Sequence, residues 1–411
     1  MNLASEQKPE APQSTAGVRA VPRTVIALGI VSLFMDISSE IIHSLLPAFL
    51  VTVLGVSALS VGIIEGIAEA TASITKIFSG AISDWTGKRK PLVLIGYGLA
   101  VVTKPLFPLA SGVSMVLAAR FIDRIGKGIR GAPRDALIAD VTPVELRGTA
   151  FGLRQSMDTI GAFVGPMLAM LLMMASSDNF RLVFWVAVIP AVIAIVLIVY
   201  GVQEPETPRS GERRRFPIQR AELMRLDVGF WWLVGLATVL TLARFSEAFL
   251  LLASQHVGLA IALIPGVLVT MNVVYAASAY PFGRLSDRMS RRTLLLLGIG
   301  FLIAADLVLA TAGTVLQVLA GVVLWGLHMG ATQGLLSTLV VDAVPADLRG
   351  TAFGLYSLIT GVSLLAASVV AGWLWTVSGP GATFTAGAIF ASVALLGMIF
   401  SVRSKSSRSR F

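Results

Sequence analysis

The sequence has no cysteine and little charge: of its 411 residues only 13% are Asp, Glu, Lys or Arg, while 55% are hydrophobic. The missing cysteines exclude a disulfide scaffold and leave the compartment open. The scarcity of charge excludes more. A soluble domain carries about 25% charged residues, so this chain could not cover a water-facing surface with the polar groups it has. The same balance excludes a disordered chain and a coiled coil. No Walker A sequence is present, which argues against ATP as the energy source. The three histidines, His43, His256 and His328, are too scattered for a metal cage. No nucleophile–base pair points to an enzyme, and neither a metal nor a cofactor is expected.

What the chain does have is apolar residues in membrane-length blocks, with a mean hydropathy of +0.83. A helix needs about 20 apolar residues to cross ~30 Å of hydrocarbon. Twelve such blocks are predicted, near 24–54, 58–83, 91–110, 114–139, 149–176, 180–201, 229–253, 259–282, 292–311, 315–340, 349–376 and 380–402. Open sheet edges cannot face lipid, so the blocks are read as helices. The polar breaks give the organisation: 1–22 a cytoplasmic tail, 23–201 a six-helix bundle, 202–228 a linker, 229–402 a second six-helix bundle, and 403–411 a basic tail. Glu6, Lys8 and Glu10 lie where a signal peptide would have its apolar core, so the tail is not read as one.

The net charge of +9 resembles a nucleic-acid signal, but no aromatic-basic platform accompanies it. When the loops are placed alternately, Lys88, Arg89, Lys90, Arg147, Arg213, Arg214, Arg215, Arg288 and Arg349 fall on one side, and Arg181 on the other with Lys104 near a helix end. Basic loops face the cytoplasm. The expectation is a multi-pass protein of the inner membrane with both termini cytoplasmic. Its partners are the lipid bilayer, a small-molecule substrate and protons, with no nucleic acid. A monomer suffices.

The two halves repeat each other. RGTAFGL occupies 147–153 and again 349–355, and Asp140, Pro143 and Arg147 align with Asp342, Pro345 and Arg349 at one offset. GAISDWTGKRK, with Gly80 and Asp84, returns as GRLSDRMSRR, with Gly283 and Asp287. A duplicated six-helix unit is the signature of a carrier whose halves rock around a site at their interface. The predicted fold class is therefore all-α integral membrane, with twelve transmembrane helices in two pseudo-symmetric six-helix bundles.

GAISDWTGKRK also resembles the major facilitator superfamily signature between helices two and three, with Gly80, Asp84, Gly87, Lys88, Arg89 and Lys90 in its places. RFIDRIGKGIRGAPRDALIAD is similar to the superfamily's basic helix-four motif, Arg124 preceding Gly128 by four. Two departures stand out: Lys127 where a glutamine is common, and Ser290 where the second signature would have its glycine. The overall character is that of bacterial drug:proton antiporters. The resemblance implies that Asp84 closes against the helix starting near Gly350. By the repeat, Asp287 would close against the helix starting near Gly148. It thus implies a cytoplasmic gate of Gly80, Asp84, Gly87, Lys88, Arg89, Arg147, Gly283, Asp287, Arg288 and Arg349.

A charge at the bilayer centre costs about 2.5–3.5 kcal/mol on insertion scales, so charges inside the blocks must pair or face a wet cavity. At ~100° per residue, Arg120, Asp123, Arg124, Lys127, Arg130, Arg134 and Asp135 share one face of helix 4. Asp36, Glu40 and His43 share a face of helix 1, Glu65 and Glu69 one of helix 2, and Arg154 and Asp158 one of helix 5. Arg130, Arg134, Asp135 and Lys76 read equally well as buried ion pairs. The substrate and proton pathway is expected among Asp36, Glu40, His43, Glu65, Glu69, Arg120, Asp123, Arg124, Lys127 and Asp158, joined from the second half by Arg244 and Glu247. Trp231, Trp232, Trp325, Trp373, Trp375, Phe245 and Phe249 would shape the apolar side of the cavity, although Trp231 and Trp232 read at least as well as interfacial anchors. The function expected is proton-coupled efflux by alternating access. The alternative is uptake or exchange of an organic anion clamped by Arg120, Arg124 and Lys127. A membrane sensor, the third class, would be expected to carry an appended soluble domain.

Overall fold

The computed structural model describes residues 21–204, 225–286, 288–332, 335, 339, 344 and 348–408. Asp287, Asp342 and Pro345, most of the linker, nearly all of the first tail and the last residues lie outside that set. Twelve long helices follow one another: α1 (Arg23–Thr52), α2 (Ala58–Thr86), α3 (Lys90–Leu109), α4 (Val113–Val141), α5 (Val144–Ala175), α6 (Phe180–Gly201), α7 (Val228–His256), α8 (Ile261–Ser286), α9 (Arg291–Ala310), α10 (Val315–Thr332), α11 (Arg349–Ser378) and α12 (Pro380–Arg408). There is no strand among the described residues. Eleven of the helices are apolar enough by composition to span a membrane. The exception is α4, equally long at 29 residues, whose charges are held inside the first bundle.

Local chemistry sets the helix ends. Ser57 caps α2 by accepting from the Ser60 N–H, and Asp227 caps α7 by accepting from the Phe230 N–H at 2.9 Å. Ser290 caps α9 by accepting from the Thr293 N–H at 3.1 Å, which gives that residue a structural use where the signature's glycine is missing. Gly87 ends α2 at φ +63°, a left-handed conformation that favours glycine.

Several spanning helices are interrupted, and the interruptions of α1 and α7 fall at matching places. α1 is interrupted at Ser44–Leu45, between Arg23–His43 and Leu46–Thr52. α7 is interrupted at Arg244–Glu247, between Val228–Ala243 and Ala248–His256. By the repeat these breaks are equivalent. At the α7 break side chains take up two of the freed backbone donors: the Ser246 N–H donates to Ser368 Oγ at 3.3 Å and the Ala248 N–H to Ser246 Oγ at 3.2 Å.

The repeat is also legible in packing. Gly96 of α3 abuts the Gly126 carbonyl of α4, as Gly298 of α9 abuts that of His328 in α10; Gly128 abuts Thr75, as Gly330 abuts Ser278. These glycines are packing sockets that let neighbouring helices approach closely. Lys104 and Asp123, which form a buried ion pair at 3.0 Å, correspond by the same offset to Asp306 and Trp325. Lys104, assigned from the sequence to the sparsely charged loop side, is in fact buried within the bundle, because α3 breaks at Lys104–Pro105 and turns the side chain inward.

We call the end of the molecule that carries Gly87–Lys90 the signature end, and the opposite one the far end. The halves meet along two helix pairs. α2 and α11 approach backbone to backbone over several turns: Gly372 faces Ala58 and Leu59, Gly62 faces the Ser368 carbonyl, Gly66 faces Leu365, and Gly361 faces Ser73. The Leu59 N–H donates to Thr376 Oγ1 at 3.2 Å. α5 and α8 meet where Gly266 faces Met170 and where Asn272 Nδ2 donates to the Ala162 carbonyl at 3.1 Å. These contacts run from the far end to mid-depth. Nearer the signature end of α5, Gln155 and Ser156 are exposed.

Candidate functional site

Between the halves, at the level of the two helix breaks, lies a cavity of about 460 Å³, a size typical of small-molecule sites. Discontinuous helices at such a depth form solute sites in membrane carriers. The first half lines it with Glu40, His43, Glu65, Glu69, Ser73, Arg124 and Lys127, and the second with Thr241, Arg244, Phe245, Glu247, Asn272, Trp325 and Tyr356 among others. The first wall is dense in charge, and the facing wall mixes aromatic and aliphatic side chains with uncharged polar groups and the single cation Arg244 and acid Glu247.

The charged wall is a connected network. Arg120 NH2 lies 2.7 Å from Glu65 Oε2, and both are buried. His43 sits between two acids, its Nδ1 3.4 Å from Glu40 Oε2 and its Nε2 3.5 Å from Glu65 Oε2. Arg124 pairs with Glu69 at 3.0 Å and reaches Asp123 at 3.7 Å. Lys104 holds Asp123 and also donates to Ser39 Oγ at 3.0 Å. Each cation buried here has an acid at hand, which is how such groups persist at membrane depth. The Glu40 and Glu69 side chains remain a quarter to a third exposed, so the network opens onto the cavity.

The structure separates residues that share a face in sequence. Glu40, His43, Glu65, Glu69, Arg124, Lys127, Arg244 and Glu247 come together around the cavity. Arg120 and Asp123 stand one layer behind them, in contact with Glu65 and Lys104. Asp158 pairs with Arg154 at 2.9 Å, away from the lining. Asp36 lies at the α1–α5 contact, where Gly161 abuts its Cβ and Gly165 abuts that of Glu40. Arg130 stacks on Tyr97 at 4.5 Å, and Arg134 binds Asp135 and Ser32, so these two cations have structural partners. Of the aromatics, Trp325 and Phe245 line the cavity and touch each other at 5.9 Å. Phe249 and Trp375 form a second layer at 5.8 Å. Trp231, Trp232 and Trp373 are exposed on the outside.

Among the lining residues, Ser73, Thr241, Asn272 and Tyr356 were not anticipated. The signal available for Asn272 was an amide inside an otherwise apolar block. The others carry no periodic mark.

At the signature end Arg89 ties three segments together. It binds Asp84 Oδ1 and Asp140 Oδ2, each at 2.8 Å, and Ser83 Oγ at 2.7 Å; its backbone N–H donates to Glu204. Gly80, one turn before Asp84, packs against Ala132 of α4. Lys88, Arg147, Gly283 and Arg288 are exposed. Asp287 and the Arg349 side chain lie outside the described residues. Arg89→Ala is expected to lower stability by about 1 kcal/mol, the size of a partly exposed bidentate ion pair. Unfolding of the purified protein in detergent measures it, and an unchanged midpoint would leave Arg89 without this role.

A sequence profile of the Major Facilitator Superfamily matches residues 28–274 and 243–411. The chain belongs to that superfamily. An uncharacterized MFS-type transporter of Methanocaldococcus jannaschii is 30% identical over 390 residues, covering 93% of this chain and 96% of that one. The inner membrane transport protein YajR of Escherichia coli is 26% identical over 394 residues, covering 90% and 80%. Among solved structures, that of a D-xylose-proton symporter superposes with a TM-score of 0.74 at 17% identity, covering 92% of this chain and 96% of that one, which supports the fold. As a superfamily member the protein is a multi-pass membrane carrier, and no catalytic family is indicated.

Proposed function

We propose that this protein is a proton-coupled secondary carrier that moves a small organic solute through the interface cavity by alternating access. The observation that carries the reading is His43. It lies at the break of α1, on the cavity wall, within 3.5 Å of two carboxylates. Histidine is the side chain whose charge environment can move its proton exchange across the physiological range. Glu40, Glu65, Arg120 and Glu247 are the charged groups that face it. A rocking motion that changes their distances changes its hold on the proton. The signature end is read as cytoplasmic because it gathers the basic loops, and the E. coli relative's place in the inner membrane supports that membrane here. The far-end contacts of α2 with α11 are then the outer gate, closed in this structure, and the signatures around Asp84 belong to the inner one.

Efflux is the first direction to test. Uptake or exchange of an organic anion is the second reading, favoured by two cavity cations, Lys127 and Arg244, that close no ion pair among the described residues. An anion and a proton bound together stabilise each other at low dielectric, which is the charge logic of symport. Everted vesicles with a pre-formed pH gradient test both, given lipophilic cations, neutral drugs and organic anions in turn. A compound that collapses the gradient with the intact protein, but not with the His43→Gln variant, supports proton-coupled efflux. Labelled anion entering right-side-out cells instead supports uptake. Full pH-driven flux in His43→Gln would remove His43 from the coupling.

A further inference from the structure

The cavity's cations divide into those neutralised by the protein and those that are not. Behind the wall Arg120 is held by Glu65, and on it Arg124 is held by Glu69. The anion clamp expected from the sequence is therefore already occupied at two of its three positions. Lys127 is different. It is exposed to the cavity, and no acid among the described residues lies within ion-pairing distance of it. From the other half, Arg244 emerges at the break of α7 into the same cavity; among the described residues its buried Nε has no hydrogen-bond partner and no acid lies within ion-pairing distance of it. Trp325, beside them on the lining, has an indole N–H with no acceptor. Glu247 is the lining acid nearest in sequence to Arg244; it interacts with Arg244 and His43 through space, but among the described residues it closes no ion pair with either.

Two unpaired cations at membrane depth are tolerated because the cavity is wet. They cannot be sealed from water at the same low cost. A solute that supplies one negative charge would satisfy both, one from each half, and would let the cavity close around it. The apolar surface beside them is aromatic, formed by the rings of Phe245 and Trp325 tilted 55° to each other.

We propose that the solute is an amphipathic organic anion, a carboxylate or sulfonate on a flat apolar body, with its anionic group held between Lys127 and Arg244 and its body against Phe245 and Trp325. This rests on the cavity being the transport site and is independent of proton coupling and direction. Lys127 and Arg244 are binding residues, and the ligand joins the two halves through them.

Equilibrium dialysis of the purified full-length protein against three probes of one shape tests this: naphthoate, the neutral naphthyl methanol and the cationic naphthylmethylammonium. Naphthoate is expected to bind saturably and more tightly than either of the others. Lys127→Gln and Arg244→Gln are each expected to weaken it at least about ten-fold, the loss of one charged hydrogen bond, while binding of naphthyl methanol stays as it was. Lys127→Arg restores naphthoate, and unchanged unfolding midpoints confirm that the variants fold. Equal naphthoate affinity in the glutamine variants overturns the proposal. So does tighter binding of the cation, or no saturable binding of naphthoate. Failure of the vesicle experiment with intact naphthoate binding would remove proton coupling and leave the clamp in place.

Discussion

Glu65→Gln is expected to abolish transport and to destabilise the protein by about 3 kcal/mol, the lower end of the cost of removing one partner from a buried ion pair. The reason is Arg120. It is 3% exposed, and its pairing with Glu65 at 2.7 Å supplies the counter-charge that lets it stay there. Neutralising Glu65 strands that guanidinium behind the cavity wall and also takes one of the two acids from His43. The double replacement Glu65→Leu with Arg120→Leu distinguishes these two effects. It removes both charges together and is expected to recover most of the stability, but not transport, because His43 still lacks its second acid. Unfolding in detergent reads the first quantity and flux in proteoliposomes the second. Full stability of the single variant would show that Arg120 finds another counter-charge.

The second large effect belongs to the far-end seam. Gly62 has no room for a side chain: a Cβ there would run into the Ser368 carbonyl of α11 and the ring of Phe249. Gly62→Val therefore forces α2 and α11 apart at the point where the halves are in backbone contact. Transport is expected to fall to background, with the carrier held open at the far end. Gly98→Ala is the control, since a Cβ on that face of α3 meets nothing. The natural absence of cysteine makes the measurement direct. Ser254→Cys places a thiol at a buried far-end position of α7. A membrane-impermeant maleimide added from the far side is expected to label it slowly in the parent and rapidly in the Gly62→Val background. Equal labelling rates would show that the seam does not close the far end.

The fold was open to reading because its cues are long. Blocks of about 20 apolar residues, a heptapeptide repeated at one offset and a strong asymmetry of basic loops each extend over many residues, and no local detail can cancel them. α4 was readable for the same reason: seven charges at helical spacing define a face whatever its neighbours are. What periodicity could not say is which of those charges has a partner. Arg120, Arg124 and Lys127 lie on one face, and only the approach of α2 shows that Glu65 and Glu69 occupy the first two and leave the third unpaired. The seam was hidden for a different reason. Gly62, Gly66, Gly361 and Gly372 are unexceptional in a chain with 39 glycines, and their meaning comes from a helix about three hundred residues away. The break in α7 had a local signal, the polar run Arg244 to Glu247 within an apolar block, but no proline marks it.

The correspondence between Lys104–Asp123 in one bundle and Asp306–Trp325 in the other bears on how the protein came to be. A duplicated unit begins with two identical interiors, yet a single cavity lies between them and needs only one wall of charge. With one copy supplying it, the other need not carry an ion pair at the matching place, and bulk and aromaticity stand there while its glycine sockets stay in register. Division of labour between the copies is the result. The scaffold positions keep the memory of common descent, and the polar positions record where the two histories parted.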